Sequence, residues 1–587
     1  MITQTTLQNS SYSIKSDGSQ IELIRQWQDS ECQLFVRNDS DTSVKLEEVV
    51  VFDFEMPYPA ITAFYGEGYN KLSQYKGTIS SFENITNYSD YKHYKLEQQE
   101  GFFTVYNLLM LFPANSEINL MAFSSCHRFS GEFRFNHSQI EVVLDCEGVD
   151  IAPGETLELE KFFFESGDCR EKLLENLSNK INSNHKRLDY PSPPTGWCSW
   201  YCYGPNVTEQ DVFDNLDKIK SDFPELEFIQ LDDGYQNKMG DWLDPHPNFP
   251  NGVKSLCLKI KDAGFEPAIW VAPFIAEENS KLFQEHPDWF IKDSDGKPLS
   301  SSKVSFGGWR CAPWYMLDGT HPQAQDYLKH VFRTMREEWK CKYFKLDANM
   351  WGALPFGKRH LENSTKIDAY RAGMRAIREG AGEDSFILGC NAPMWPSIGE
   401  VHGMRITGDI SRKWKVFKVL AEECFNRNWQ NNIWYNDPDC VVLENLAIKV
   451  IGPDGKPFVN NTEITEDEFS FHAAHMLASG GMILSSDKMM ELSQAKKQIL
   501  KKLLQSKGIA AKFDDKSFKI GRIPTQTGSL ICLFNWNDYE SKYSVTLNAK
   551  CNIMDYWTDE LIAKNTGITP VITLPPHSGR VLVCDTI

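Results

Sequence analysis

The sequence predicts a multidomain chain of mixed α/β and β class, with a central (β/α)8 TIM barrel between an N-terminal β-sandwich and a small C-terminal β domain. Three observations carry that expectation. The chain has 587 residues, more than a single hydrophobic core holds. Residues 13–164 carry short alternating apolar runs between polar turns, the pattern of antiparallel strands. Beyond Tyr190-Pro191-Ser192-Pro193-Pro194, a stiff extended stretch, the pattern becomes a strand–helix alternation with eight candidate strands.

In the first part the strand-like runs are 33–37, 45–54, 103–111, 118–123 and 140–144. A helical pattern follows over 168–186, with Leu173, Leu174 and Leu177 on one stripe. The expected barrel strands are 196–200, 226–231, 266–272, 343–346, 386–390, 404–407, 433–435 and 482–485. Helical periodicity fills most of the intervals, at 209–223, 253–263, 323–339, 367–381, 413–426, 466–477 and 493–504. After residue 510 short strands return at 529–534, 542–547 and 581–584. These shifts set domain boundaries at 1–186, 187–509 and 510–587, with no internal repeat.

A net charge of −19 disfavours nucleic acid and other polyanions as partners. No apolar run approaches the ~20 residues of a membrane helix, so no membrane is expected. Residues 1–20 lack the charged-then-apolar layout of a signal peptide, and the 15 cysteines are scattered without metal-type pairs. Both point to a reducing, cytoplasmic setting. Phosphate-loop, dinucleotide, HExxH and GxSxG signatures are absent, and the histidines are dispersed, so no cofactor or metal is expected.

Chemistry in a (β/α)8 barrel gathers at the C-terminal strand ends. The fourth strand ends in Asp347, with Lys345 two residues earlier on the same face. The sixth repeats the arrangement with Arg405 and then Asp409. Asp232-Asp233-Gly234 closes the second strand, Trp270 lies on the third, Cys390 ends the fifth, and Trp200-Tyr201 ends the first. Asn436-Asp437-Pro438-Asp439 follows the seventh. Singly, these are ordinary caps, turns, core tryptophans, buried thiols and strand-end ion pairs. Together at one mouth they suit a polyhydroxylated ligand and two-carboxylate glycosidic chemistry.

Gly196-Trp197-Cys198-Ser199-Trp200-Tyr201, Leu231-Asp232-Asp233-Gly234-Tyr235, Gly240-Asp241-Trp242, Lys345-Leu346-Asp347, Leu388-Gly389-Cys390 and the run from Gly403 to Asp409 together resemble the α-galactosidases of glycoside hydrolase family 36, over roughly residues 190–510. The resemblance implies a retaining exo-α-galactosidase acting on small α-galactosides of the melibiose or raffinose type, with Asp347 as nucleophile and Asp409 as general acid/base. It implies that Asp232, Asp233 and Lys345 hold galactose hydroxyls, and that Arg405, Cys390, Trp200, Trp270, Asp241 and Trp242 complete the pocket. Tyr69, in Gly68-Tyr69-Asn70-Lys71, matches the aromatic that the family brings in from the N-terminal domain. Two features depart from the family pattern: Thr407-Gly408-Asp409 replaces Gly-Pro-Asp, and Asn391-Ala392-Pro393 follows Cys390. Residues 391–395 are expected to crowd the sugar 2-position, which favours galactose over N-acetylgalactosamine. Arg405 is expected to point away from Asp409, because an acid must hold its proton. The alternatives are an α-N-acetylgalactosaminidase, a galactosyl-transferring enzyme, or a non-catalytic sugar-binding protein on the same scaffold.

Overall fold

The computed structural model describes residues 1–86, 88–446, 450–451, 457–459 and 462–587. Two antiparallel sheets form the N-terminal part. The first runs in the order Ser11–Ser16, Val44–Glu55, Gln139–Ile151, Ser130–Phe135, Phe103–Tyr106, and the second has nine strands. Alternation works as the sequence suggested: Glu31–Asn38 buries every second residue. One apolar cluster, including Leu34, Val51, Phe52, Phe133, Val142 and Phe162, draws on both sheets.

The run expected at 103–111 is two strands in different sheets, Phe103–Tyr106 and Leu108–Phe112. Asn107 makes the break in the left-handed region (φ 60°), and its side-chain oxygen accepts from Gly131 N–H at 3.1 Å. Asparagine tolerates that conformation through local hydrogen bonding, so an apolar run can change sheets there.

Eight parallel strands form the central sheet, in the order Tyr435–Asp437, Gly403–Arg405, Phe386–Gly389, Tyr343–Leu346, Glu266–Val271, Phe228–Leu231, Thr195–Cys198, Ile483–Ser485. Met482 N–H donates to the Asn436 carbonyl (2.9 Å) and Val441 N–H to that of Leu484 (2.7 Å), drawing the two ends of the order together. Capping boxes open three of the barrel helices, at Thr208 with Asp211, Thr365 with Asp368 and Thr465 with Glu468.

Two strand ends differ from expectation in ways that matter for the site. The first strand stops at Cys198, and Trp200–Tyr203 coils into one helical turn. The seventh starts two residues late, because the N–H groups of Ile433 and Trp434 bond back to the Gln430 carbonyl and complete a helical turn. Asp437 therefore lies inside that strand and Asp439 beyond it.

The last part is a six-stranded antiparallel sheet with a two-stranded companion. It covers the outer side of helix Glu466–Ser479, where Phe471 meets Phe534 edge-on at 5.3 Å and Gly579 N–H donates to Ser470. That helix is consequently buried nearly all round. The nine-stranded sheet packs on the barrel through a fully buried pair, Arg427 with Glu67. Arg427 also donates to the carbonyls of Lys71, Ser73 and Ile406, which offsets the cost of burying both charges.

Candidate active site

A cleft of about 1570 Å³ opens at the C-terminal ends of the barrel strands. Nine of the expected residues line it: Trp200, Asp232, Asp233, Trp270, Lys345, Asp347, Cys390, Arg405 and Asp409. Both strand-end aspartates and their cations thus face one space.

Asp232 and Asp233 form its floor, each buried. Gly234 makes the turn after them (φ 121°), and a Cβ there would meet the Pro205 carbonyl oxygen at 2.5 Å. Asp232 Oδ2 accepts from Lys345 Nζ at 2.9 Å and from Gln230 at 2.6 Å, while Oδ1 accepts from Asp233 N–H. Burial is the largest single influence and works to lower the Lys345 pKa, but Asp232, Cys198 and Cys390 together outweigh it and hold the ammonium well above its ordinary value. Asp233 takes a two-pronged bond from Arg310, whose Nε lies 2.7 Å from Oδ2, and a third bond from Gln236. Each carboxylate has about four acceptor sites, so Asp232 Oδ1 and Asp233 Oδ2 each keep one for an incoming hydroxyl.

Asp347 is half-buried. Its Oδ2 accepts from the Trp270 indole N–H at 3.1 Å and its Oδ1 from Ala348 N–H at 2.7 Å. Ala348 adopts a left-handed conformation (φ 52°) that turns this N–H back onto the carboxylate. Beside it the Cys390 thiol is pushed up to about 12 by burial and by Asp347, so it stays neutral.

Asp409 keeps 68% of its side-chain surface open to the cleft. Arg405 Nη2 donates to its Oδ1 at 3.0 Å, and Lys71 Nζ lies 3.8 Å away. Enclosure by the cleft walls works to raise its pKa, but Lys71, Arg405 and Lys345 together leave it below the ordinary aspartate value. Water reaches this carboxylate and screens those charges. The expectation that Arg405 points away from Asp409 is therefore half corrected. Its main partner is the buried Asp439, which also accepts from Tyr201 OH and Ile410 N–H at 2.6 Å each, but a second bond goes to Asp409.

The structure keeps three expected residues out of the cleft. The Asp241 carboxylate is occupied by the N–H groups of Lys281 and Leu282. Trp242 is buried edge-on behind Trp270, with centroids 5.9 Å apart. Tyr69 is buried, donates to the Ala353 carbonyl and packs on Tyr106, so it supports the wall without lining it. The crowding expected from residues 391–395 is also corrected. Only Asn391 lines the cleft, whereas the backbone beyond it turns toward the N-terminal sheets, where Trp395 Nε1 donates to the Phe123 carbonyl.

Residues missed from the sequence include Lys71, Arg310 and the rim aromatics Tyr88, Phe306 and Trp309. No motif flags them. Lys71 does stand two residues from the selected Tyr69, in the same loop.

Comparison with known proteins follows the same lines. The Melibiase family model matches residues 210–378, the segment carrying Asp232, Asp233, Trp270, Lys345 and Asp347. Over that segment the chain is similar to the Melibiase family. An α-galactosidase of Escherichia coli is 29% identical over 131 residues, 21% of this chain and 17% of that protein. The A type blood α-D-galactosamine galactosaminidase of Flavonifractor plautii is 26% identical over 264 residues, 41% of this chain and 23% of that protein. The chain thus spans less than a quarter of the length of these two relatives. In fold it is similar to an α-galactosidase from Thermus thermophilus solved with p-nitrophenyl α-D-galactopyranoside, at 20% identity and a TM-score of 0.64, covering 85% of this chain and 97% of that one. The likeness to α-galactosidases carried by the sequence motifs is borne out over the segment that the Melibiase model matches.

Proposed function

We propose that the chain is a retaining exo-α-galactosidase of small α-galactosides, built as an N-terminal β-sandwich over 1–186, a catalytic (β/α)8 barrel over 187–509 and a C-terminal β domain over 510–587. One observation carries this: Asp347 and Asp409, from separate barrel strands, face one cleft whose floor offers acceptors on Asp232 and Asp233 and donors on Lys345. Among the described residues Lys345 Nζ donates to Asp232 alone, which leaves two of its N–H bonds for sugar oxygens.

The chemistry runs in two balanced steps. Asp347 Oδ attacks the anomeric carbon, while Trp270 and Ala348 N–H hold the carboxylate in line. The glycosidic C–O bond breaks, and its oxygen leaves as an alcohol with the proton from Asp409. Water then attacks the galactosyl ester and gives its proton to Asp409, Asp347 departs, and α-galactose is released. Step two thus returns to Asp409 the proton spent in step one. The rim aromatics Trp309 and Phe306, 38% and 44% exposed, offer flat apolar faces to the leaving sugar.

Product analysis on melibiose and raffinose, with and without added acceptor sugars, tests this. Free galactose, first formed as the α-anomer, is expected. A β-anomer would make the enzyme inverting, new oligosaccharides in place of galactose would make it a transferase, and no release would make it a binding protein. The competing sugar is N-acetylgalactosamine, and the Flavonifractor relative, named for α-D-galactosamine, adds galactosamine itself. With residues 392–395 turned away, Asn391 alone stands for the expected crowding. Galactose remains the proposal, and a higher kcat/KM on the matched aryl α-N-acetylgalactosaminide would reverse it.

The proposed setting is cytoplasmic. Among the described residues no helix is long and apolar enough to cross a membrane. All 15 cysteines are free thiols, 13 of them buried and only Cys169 and Cys311 exposed. Thiol titration of the unfolded, unreduced protein should recover close to all 15, and the native protein close to two. Extensive disulfide content would overturn the cytoplasmic assignment.

A further inference from the structure

Lys71 lies on the loop between strands Ala63–Glu67 and Gln74–Thr78 of the nine-stranded sheet, far from the barrel in sequence. That loop is clamped on both sides. Within it, Gly68 N–H donates to the Ser73 carbonyl at 3.0 Å, and the buried Asp90 carboxylate accepts from the N–H groups of Tyr69 and Asn70. Toward the barrel, the Tyr69 carbonyl accepts from Met394 N–H, Asn70 Nδ2 donates to Asn391, and the Lys71 carbonyl accepts from Arg427. The Lys71 side chain is left 2% exposed, with Nζ donating to the Thr407 carbonyl at 3.0 Å and 3.8 Å from Asp409 Oδ1. The clamp fixes the backbone from which the Lys71 side chain reaches the cleft, and the Nζ bond to Thr407 then holds the side chain itself.

We propose that Lys71 is a positioning residue for Asp409, a cation delivered from the N-terminal sheets that fixes both the orientation and the charge of that carboxylate. The cleft is incomplete without those sheets. The inference rests on the catalytic role proposed for Asp409. Several other charged or titratable groups face this carboxylate. Arg405 and Lys345 act with Lys71, Asp439 opposes them, and Tyr201 and Tyr88 border it. Behind the loop, Glu423 accepts from Gly408 N–H at 3.0 Å and is pushed up to about 7 by burial. Of the two cations touching Asp409, Arg405 is shared with Asp439. Lys71 has only the Thr407 carbonyl as its other partner among the described residues.

The sign follows from the role. A general acid works protonated, so a nearby cation that favours the carboxylate brings the loss of activity on rising pH to lower pH. Removing the cation moves that limb up. The test compares wild type, Lys71→Met and Lys71→Arg on melibiose, whose leaving group needs a proton, and on an activated aryl α-galactoside, which does not. In Lys71→Met the alkaline limb of kcat/KM on melibiose should move to higher pH, and the melibiose-to-aryl ratio at neutral pH should rise several-fold. Lys71→Arg should keep the wild-type limb. In parallel, the Asp409 carboxyl is titrated by 13C NMR, assigned with Asp409→Asn, which also separates it from Glu423. Its midpoint should rise in Lys71→Met. An unchanged midpoint overturns the inference whatever the activity does. If wild type releases no galactose from either substrate, the proposed activity falls, and the carboxyl midpoint alone judges Lys71.

Discussion

Asp347→Gly is expected to lower kcat on aryl α-galactosides by about four orders of magnitude or more, because it removes the carboxylate proposed to form the covalent intermediate. The deletion leaves a small space beside Trp270 Nε1 and Ala348 N–H, both of which now donate to the missing carboxylate. Azide should enter that space and attack the same carbon, restoring part of the turnover and giving β-galactosyl azide. Substantial activity in the variant without azide, or a rescued product of α configuration, would remove Asp347 from the nucleophile role.

Asp409→Gly should behave differently. Kcat/KM on melibiose should fall by about 10² to 10⁴, while an aryl substrate with a good leaving group loses far less, since its first step needs no proton. The variant should also lose the alkaline limb of its pH profile on melibiose. Azide should speed its second step on activated substrates and give α-galactosyl azide, because the galactosyl ester on Asp347 still forms. Equal slowing across a series of leaving groups would take Asp409 out of the acid role.

The alternation of strand and helix, the strand Tyr343–Leu346 and the Asp232, Asp347 and Cys390 positions beyond their strands were legible because each rests on local periodicity plus one rule about barrel mouths. Errors of one or two residues arose where a helical turn ran on, as at Ile433 and Trp434, or where a strand coiled early, as at Trp200. Asp241, Trp242 and Tyr69 came from resemblance alone. Their motifs are present, but the side chains are spent on backbone N–H groups, on Trp270 and on the Ala353 carbonyl.

By itself the sequence determined which side chains stand at the strand ends: two aspartates, each with a cation a few residues before it, and a floor of Asp232 and Asp233. Only the tertiary structure decided which charge answers which. Lys345 turns from its neighbour Asp347 to Asp232, 113 residues away. Arg405 divides itself between Asp409 and Asp439, Arg310 claims Asp233, and Lys71 crosses 336 positions to bond Thr407. The reason is physical. Periodicity records the face on which a residue lies, whereas the protonation of a carboxylate depends on every charge within a few ångströms, and folding brings those charges in from any part of the chain.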